Sequence, residues 1–390
     1  MKDPILLNNL WKEVEAGRVS VSSSDSLTIF KYTQDTHIKD EWNEVNRLAR
    51  GIIFHADGTV MARPFPKFFN LGERPESSMP HLPKEPFECY EKMDGSCGIG
   101  YVHDGPQPGV ERPVYADGKM AGYLPSWRLA TPGSMESDQA IEGTKILHET
   151  MMVGDETGAD WPSPKARYNL AALPQDCTPV FEIIYPENRI VVDYHGSREL
   201  VLLAILEHNG VEWHPRRVDQ IAEMCGFRRP RLYDFKLDGD LPFEDNHEGF
   251  VVRFESGFRL KVKSPTYLRI HRLLNHLSPK GVIELVRGKE YGATVKQLPA
   301  AIAADFDDIR AYVQSMHNKL LADAYGRLRA LNVTRGLATR KDQAAWIIDN
   351  VPNAETGFVF GLLDGKDIED KIWTLVLHKV KDEGRAVATE

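Results

Sequence analysis

Lys92 stands in the string Glu91-Lys92-Met93-Asp94-Gly95-Ser96. An amine followed by Asp-Gly falls at a turn, where the side chain projects and can act as a nucleophile. By itself the string describes an ordinary hairpin turn. Three further segments follow it in order. Phe181-Glu182-Ile183-Ile184 places one carboxylate in an otherwise apolar strand. His247-Glu248-Gly249-Phe250-Val251 sets another where a strand begins. Lys261-Val262-Lys263 puts two ammoniums on one face of a strand, because side chains alternate. A glutamate facing water, or a charged edge strand, explains each of these singly. All four in sequence are much harder to produce by accident.

Taken together, the order Lys-x-Asp-Gly, Phe-Glu, Glu-Gly-Phe-Val, Lys-x-Lys resembles the covalent nucleotidyltransferase superfamily of DNA ligases, RNA ligases and mRNA capping enzymes. Closer detail resembles the RNA ligases of the bacteriophage T4 RNA ligase 1 type. Arg50-Gly51-Ile52-Ile53-Phe54 looks like that family's upstream arginine element. Arg63-Pro64-Phe65-Pro66-Lys67-Phe68-Phe69-Asn70 looks like its lysine-bearing element. Phe181 through Tyr194, with Asn188-Arg189-Ile190-Val191, resembles its third motif and extension, and Lys261-Val262-Lys263-Ser264 with Tyr267 its last.

The resemblance implies an α+β nucleotidyltransferase fold of the ligase and capping-enzyme type, with antiparallel sheets and an all-helical C-terminal domain. It implies ATP as AMP donor, Mg²⁺ or Mn²⁺, and a lysyl-adenylate on Lys92. That amine must be neutral to attack, and its ordinary pKa is about 10.4. Lys261, Lys263 or the metal ion are expected to lower it. The same two lysines would stabilise charge growing on the α-phosphate, while Arg50 and Lys67 suit the β and γ phosphates. Glu248 and Asp94 would hold metal waters. Glu182 would bind either the ribose hydroxyl or a metal water. Glu91 would lie beside the adenine, and Gly95 belongs to the same nucleotide-binding turn. Lys119 is either a further catalytic lysine or a solvated surface residue, and Tyr267 either an adenylate contact or a helix-start core residue. The expected partners are single-stranded RNA ends or cleaved tRNA, with no membrane and no obligate protein partner. A tRNA-splicing type of ligase domain and a non-catalytic RNA-end binder on a ligase scaffold are the alternatives.

These groups need strands to carry them. The sequence predicts strands at Arg50–Phe54, Thr59–Arg63, Phe87–Glu91, Ile99–His103, Val180–Tyr185, Leu200–Leu206, Gly249–Phe254 and Phe258–Val262. Asp57-Gly58 and Asn209-Gly210 mark hairpins, and helices are expected at Glu136–Met152 and Arg216–Cys225. Near Pro265 the pattern turns helical: Tyr267–Leu277, Ala300–Leu331, Gln343–Asn350 and Asp367–Val380. A chain of 390 residues predicts two domains, 1–275 and 276–390. Gly105–Pro113 reads as a surface loop.

A net charge of -9 argues against a protein that coats nucleic acid, but a local basic surface suffices for phosphate. Arg259, Lys261, Lys263, Arg269 and Arg272 form one such stretch, and Arg228, Arg229 and Arg231 another. Cysteines at 89, 97, 177 and 225 lack zinc spacing and read as reduced thiols. No P-loop string occurs. With no long apolar run and no signal-peptide pattern, the host cytoplasm is the expected compartment.

Overall fold

The structure is a computed structural model and describes all residues except 105–112, 117–118, 124–125, 154–162, 275–277 and 383–390. The chain divides into two compact units, Met1–Tyr267 and Leu268–Glu390.

The first unit is built on three sheets of four or five strands, with two further two-stranded pairs among the described residues. The N-terminal one has four strands in chain order, Val19–Ser24, Leu27–Tyr32, Arg50–His55 and Val60–Ala62. Helix Pro4–Glu15 covers it, capped by the Asp3 carboxylate and started by Pro4, and it buries Leu6 and Leu10 against Phe30, Ile52 and Phe54. Neither the helix nor the first two strands is evident in the sequence, since Val19-Ser20-Val21-Ser22-Ser23-Ser24 exposes most of its length.

A second sheet runs in the order Ser126–Ala130, Ser96–His103, Cys177–Ile184, Glu199–Glu207, with every pair antiparallel. Cys177–Ile184 is buried along its whole length, because both faces of this sheet are covered. Helices Asp138–Leu147 and Pro215–Cys225 border one face, where Leu129, Phe181, Leu202 and Val218 pack together. The third sheet has the order Leu232–Tyr233, Phe87–Glu91, Gly249–Phe254, Arg259–Lys263, Phe69–Asn70, with only the last pairing parallel. Glu91 ends a strand of the third sheet and Ser96 begins one of the second. Lys92, Met93, Asp94 and Gly95 are therefore the seam between the two.

Two expectations are corrected here. The helix expected over Glu136–Met152 spans only Asp138–Leu147, and Thr150–Val153 instead pairs antiparallel with Ser163–Ala166. Ser137 caps that helix, and the β-branched Thr150 and Val153 suit a strand. The Asn209-Gly210 turn makes no full hairpin: Gly210 takes φ +93°, and the return is a single bridge between Leu206 and Glu212. Of the Gly105–Pro113 loop, residues 105–112 lie outside the described residues.

The second unit carries no strand among its described residues. Its long helix, Ala300–Val333, buries Phe306, Val313, Leu320 and Leu331 at helical spacing. Leu331 packs with Ile347, Val351 and Val359 from Arg340–Asn350 and the turns and helix that follow. Helix Thr356–Leu363 has no counterpart in the sequence expectations. It is apolar on all sides, so no amphipathic period marks it.

Candidate active site

Lys92 is held at the seam by backbone geometry. Its amide donates to the Gly249 carbonyl at 2.8 Å. Gly249 has φ +143°, and a Cβ there would lie 2.0 Å from the Val262 carbonyl oxygen, so only glycine fits. Gly95 is required for a similar reason, since its Cβ would meet the Ile183 carbonyl oxygen at 2.5 Å. That close approach lets the Gly95 amide donate to Glu182 Oε1 at 2.9 Å.

The Lys92 ammonium lies 2.6 Å from Glu248 Oε2, and the Lys263 ammonium 3.0 Å from Glu248 Oε1. Glu248 is almost fully buried, so its charge must be compensated, and two lysines do so. The two neighbouring lysines do not have the expected effect of lowering the Lys92 pKa. Burial pulls the Lys92 pKa down, but Glu248, Glu182 and Asp94 outweigh it and hold the amine above its ordinary value. With Glu248 as its partner, Lys92 is held as an ammonium, and it would have to lose a proton to serve as a nucleophile.

The depressed lysine is Lys261. Burial, and then Arg50, Lys92, Lys67 and Lys263, bring its pKa down to about 7. Arg50 and the Lys261 ammonium each approach the ring of Phe68, at 5.3 Å and 5.3 Å from its centroid. The electron-rich ring thus offsets some of the repulsion between two cations with low-dielectric surroundings. Glu182 moves the other way: burial raises its carboxyl to about 7, against the opposing pull of Lys92.

Asp94 has both oxygens engaged. Oδ2 accepts from the Val191 and Val192 amides at 2.8 Å each, and Oδ1 from the Tyr267 hydroxyl at 2.7 Å. The Asp94 amide in turn donates to the Tyr194 hydroxyl at 2.7 Å. Asp94 and Tyr267 therefore brace the turn that presents Lys92. Among the described residues, no group of three or more His, Cys, Asp or Glu side chains is arranged to hold a metal ion. No helix among them is long and apolar enough to cross a membrane.

Arg50, Glu91, Lys92, Glu182 and Lys261 line one cleft between the second and third sheets, floored by apolar side chains that include Leu203 and Val251. Glu248, Lys263, Asp94, Gly95 and Tyr267 do not line it but are joined to Lys92 or its turn as described. Lys67 lies in a neighbouring cleft, with its ammonium 5.2, 5.3 and 5.4 Å from the ring centroids of Tyr32, Trp42 and Phe69. The Lys119 side chain is outside the described residues. The expected basic patch at Arg228, Arg229 and Arg231 is neutralised by Glu199, Asp219 and Glu244.

Several residues escaped the sequence. Glu212 binds both Arg259 and Arg253 at the far end of the cleft, and nothing in its surroundings marks it beyond a nearby turn. Tyr194 and Phe68 lie inside segments already singled out, yet their roles depend on partners distant in the chain.

A family model described as RNA ligase matches residues 48–267, which contain every group above except Tyr32 and Trp42. A Thermovibrio ammonificans protein provisionally named an RNA ligase is 27% identical over 289 residues, covering 70% of this chain and 66% of that one. An RNA ligase of Rhodothermus phage RM378 is 23% identical over 322 residues, covering 66% and 67%. The chain thus spans about two thirds of the length of these curated relatives. Among solved structures, an archaeal ATP-dependent RNA ligase aligns with a TM-score of 0.43 at 13% identity, covering 80% of this chain and 79% of that one. The described residues combine mainly antiparallel sheets with helices in an α+β arrangement, and the family match extends over more than half of the chain, which belongs to the RNA ligase family of the T4 RNA ligase 1 type.

Proposed function

We propose that the chain is an ATP-dependent RNA ligase. Lys92 Nζ attacks the α-phosphate of ATP, pyrophosphate leaves, and a phosphoramidate to AMP remains. The AMP then passes to the 5′-phosphate of an RNA end. A 3′-hydroxyl attacks that activated phosphate, AMP leaves, and a phosphodiester forms.

The observation that carries this reading is the cleft itself. One lysine, fixed at the seam between two sheets, shares a pocket with Arg50, Lys261 and Glu182. Lys261 and Arg50 suit the growing charge on the α-phosphate. Leu203 and Val251 offer an apolar slot for adenine, with Glu91 at its edge.

Mg²⁺ normally binds through one or two carboxylates and keeps several waters, and it would polarise the phosphate oxygens. Glu182 suits an outer contact to it, since one of its oxygens forms no hydrogen bond among the described residues. Glu248 becomes available only when Lys92 and Lys263 release it, and Asp94 is already saturated. We assign Asp94 to bracing rather than to metal waters. The helical C-terminal domain, residues 276–390, is proposed to contact folded RNA such as cleaved tRNA. Its deletion should lower tRNA selectivity and spare labelling of Lys92.

The test is incubation with α-phosphate-labelled ATP and Mg²⁺ without RNA, on enzyme stripped of prebound AMP. Wild type should acquire an acid-labile label from ATP and none from GTP, and Lys92→Ala none at all. Folded wild-type protein that stays unlabelled would sink the proposal.

A further inference from the structure

Two segments from different sheets hold the Lys92 turn. One, residues 191–194, lies between strands Cys177–Ile184 and Glu199–Glu207 of the second sheet. Its Val191 and Val192 amides grip Asp94 Oδ2, and its Tyr194 hydroxyl accepts from the Asp94 amide. The other, residues 246–249, leads into strand Gly249–Phe254 of the third sheet. It supplies the Glu248 carboxylate to the Lys92 ammonium and the Gly249 carbonyl to the Lys92 amide. The first segment therefore fixes the turn, and the second fixes the direction of the amine.

One side chain ties the two segments together. The Asp193 amide donates to Asn246 Oδ1 at 2.7 Å, and Asn246 Nδ2 donates to the Asp193 carbonyl at 2.8 Å. Both backbone polar groups of Asp193 are thus satisfied by one residue, much as a neighbouring strand would satisfy them. The Asn246 backbone has φ +57°, in the left-handed region that asparagine tolerates better than most residues with a side chain. Asn246 is itself exposed and does not line the nucleotide cleft, while Glu248, two residues on, is buried against Lys92 and Lys263.

A lysine side chain is long and flexible, so its attack depends on what aims it. A misplacement of about 1 Å can cost about a hundredfold in rate. If the two segments moved apart, the base of Lys92 and the carboxylate that holds its amine would drift independently.

We infer that Asn246 is a positioning residue for adenylylation, locking the segment that clasps Asp94 to the turn that carries Glu248. The inference rests on the ligase reading and adds to it a residue that touches neither ATP nor Lys92.

The test is single-turnover labelling of the full-length protein, stripped of AMP, over a range of concentrations of α-phosphate-labelled ATP. Asn246→Gly keeps the left-handed backbone and removes both bonds. Its rate at saturating ATP should fall about tenfold, with half-saturating ATP within about twofold of wild type. Asn246→Asp has the same size but sets a carboxylate oxygen against the Asp193 carbonyl, so it should be no faster than the glycine variant. Because Asn246 acts through the clasp on Asp94, Asn246→Gly combined with Tyr194→Phe should be slowed at least about threefold less than the product of the single effects. Three results would each overturn the inference. They are a saturating rate in Asn246→Gly within about twofold of wild type, a loss confined to half-saturating ATP or to the labelled fraction, and single effects that simply multiply in the double variant. Wild-type protein that never acquires label overturns the ligase reading, and this inference with it, before any variant is made.

Discussion

Binding of an ATP analogue at pH 8 should draw a proton onto Lys261. In the protein alone, burial and the cations around it bring that amine down to about 7 from an ordinary 10.5. A group with a pKa of about 7 is about one-tenth protonated at pH 8 and about half protonated at pH 7. Phosphate oxygens set beside it favour the charged form and return its pKa toward the ordinary value. The expected uptake is therefore about 0.9 proton at pH 8, about 0.5 at pH 7 and almost none at pH 5.5. Because the folded pKa is depressed, the stability associated with neutral Lys261 is present at high pH and lost as pH falls through about 7. Bound phosphate reverses that penalty, so analogue affinity should weaken by nearly tenfold per pH unit above pH 7. Isothermal titration of α,β-methylene-ATP, in buffers of different ionisation enthalpy at each pH, counts the protons. Lys261→Met, similar in length and without charge, removes the acceptor. Equal uptake by wild type and Lys261→Met, or no uptake at pH 8, would refute the assignment of the titrating group.

Glu182→Gln should alter stability in a pH-dependent way. The folded carboxyl titrates at about 7 rather than 4.5, so the stability of its protonated form is complete below pH 4.5 and is lost as pH rises through 7. Glutamine keeps an acceptor for the Gly95 amide and should gain up to about 3 kcal/mol at pH 8, with none at pH 4. Urea unfolding across that range checks it, and an unchanged slope of stability against pH contradicts it. Gly95→Ala should cost about 1–3 kcal/mol, because the new methyl meets the Ile183 carbonyl and pushes the turn off Glu182. Labelling of Lys92 should fall with it, and a variant labelled at the wild-type rate would show that the seam tolerates movement. Tyr267→Phe leaves Asp94 Oδ1 without its donor and should cost about 1–3 kcal/mol of unfolding free energy. Chemical denaturation reads this directly, and an unchanged midpoint would mean that water replaces the hydroxyl.

Much of the cleft was legible because its residue types recur in a fixed chain order shared with the family. The strands that carry or follow Arg50, Glu182, Glu248 and Lys261 announce themselves by β-branched and aromatic runs, whereas the tight approaches that demand glycine at 95 and 249 appear only in the structure. The long helix Ala300–Val333 was equally plain, its apolar residues recurring at helical spacing. Val19–Ser24 was not, because an exposed, serine-rich edge shows little alternation. The overrun of Asp138–Leu147 has a different cause, since helical periodicity continued past the point where sheet pairing took over.

By itself, the sequence determined the candidate nucleophile, the order of the motif segments, the family and the change from strands to helices near residue 265. Each depends on local pattern or on residue type. Only the tertiary structure decided the charge states and the partners. It gave the elevated pKa to Lys92 and the depressed one to Lys261, because Glu248 sits 2.6 Å from one while burial, and then Arg50, hold the other down. It also saturated Asp94, neutralised Arg228, Arg229 and Arg231, and placed Lys67 among rings from the N-terminal region. Such outcomes depend on burial and on which side chains meet across sheets, and electrostatic energies change steeply with both.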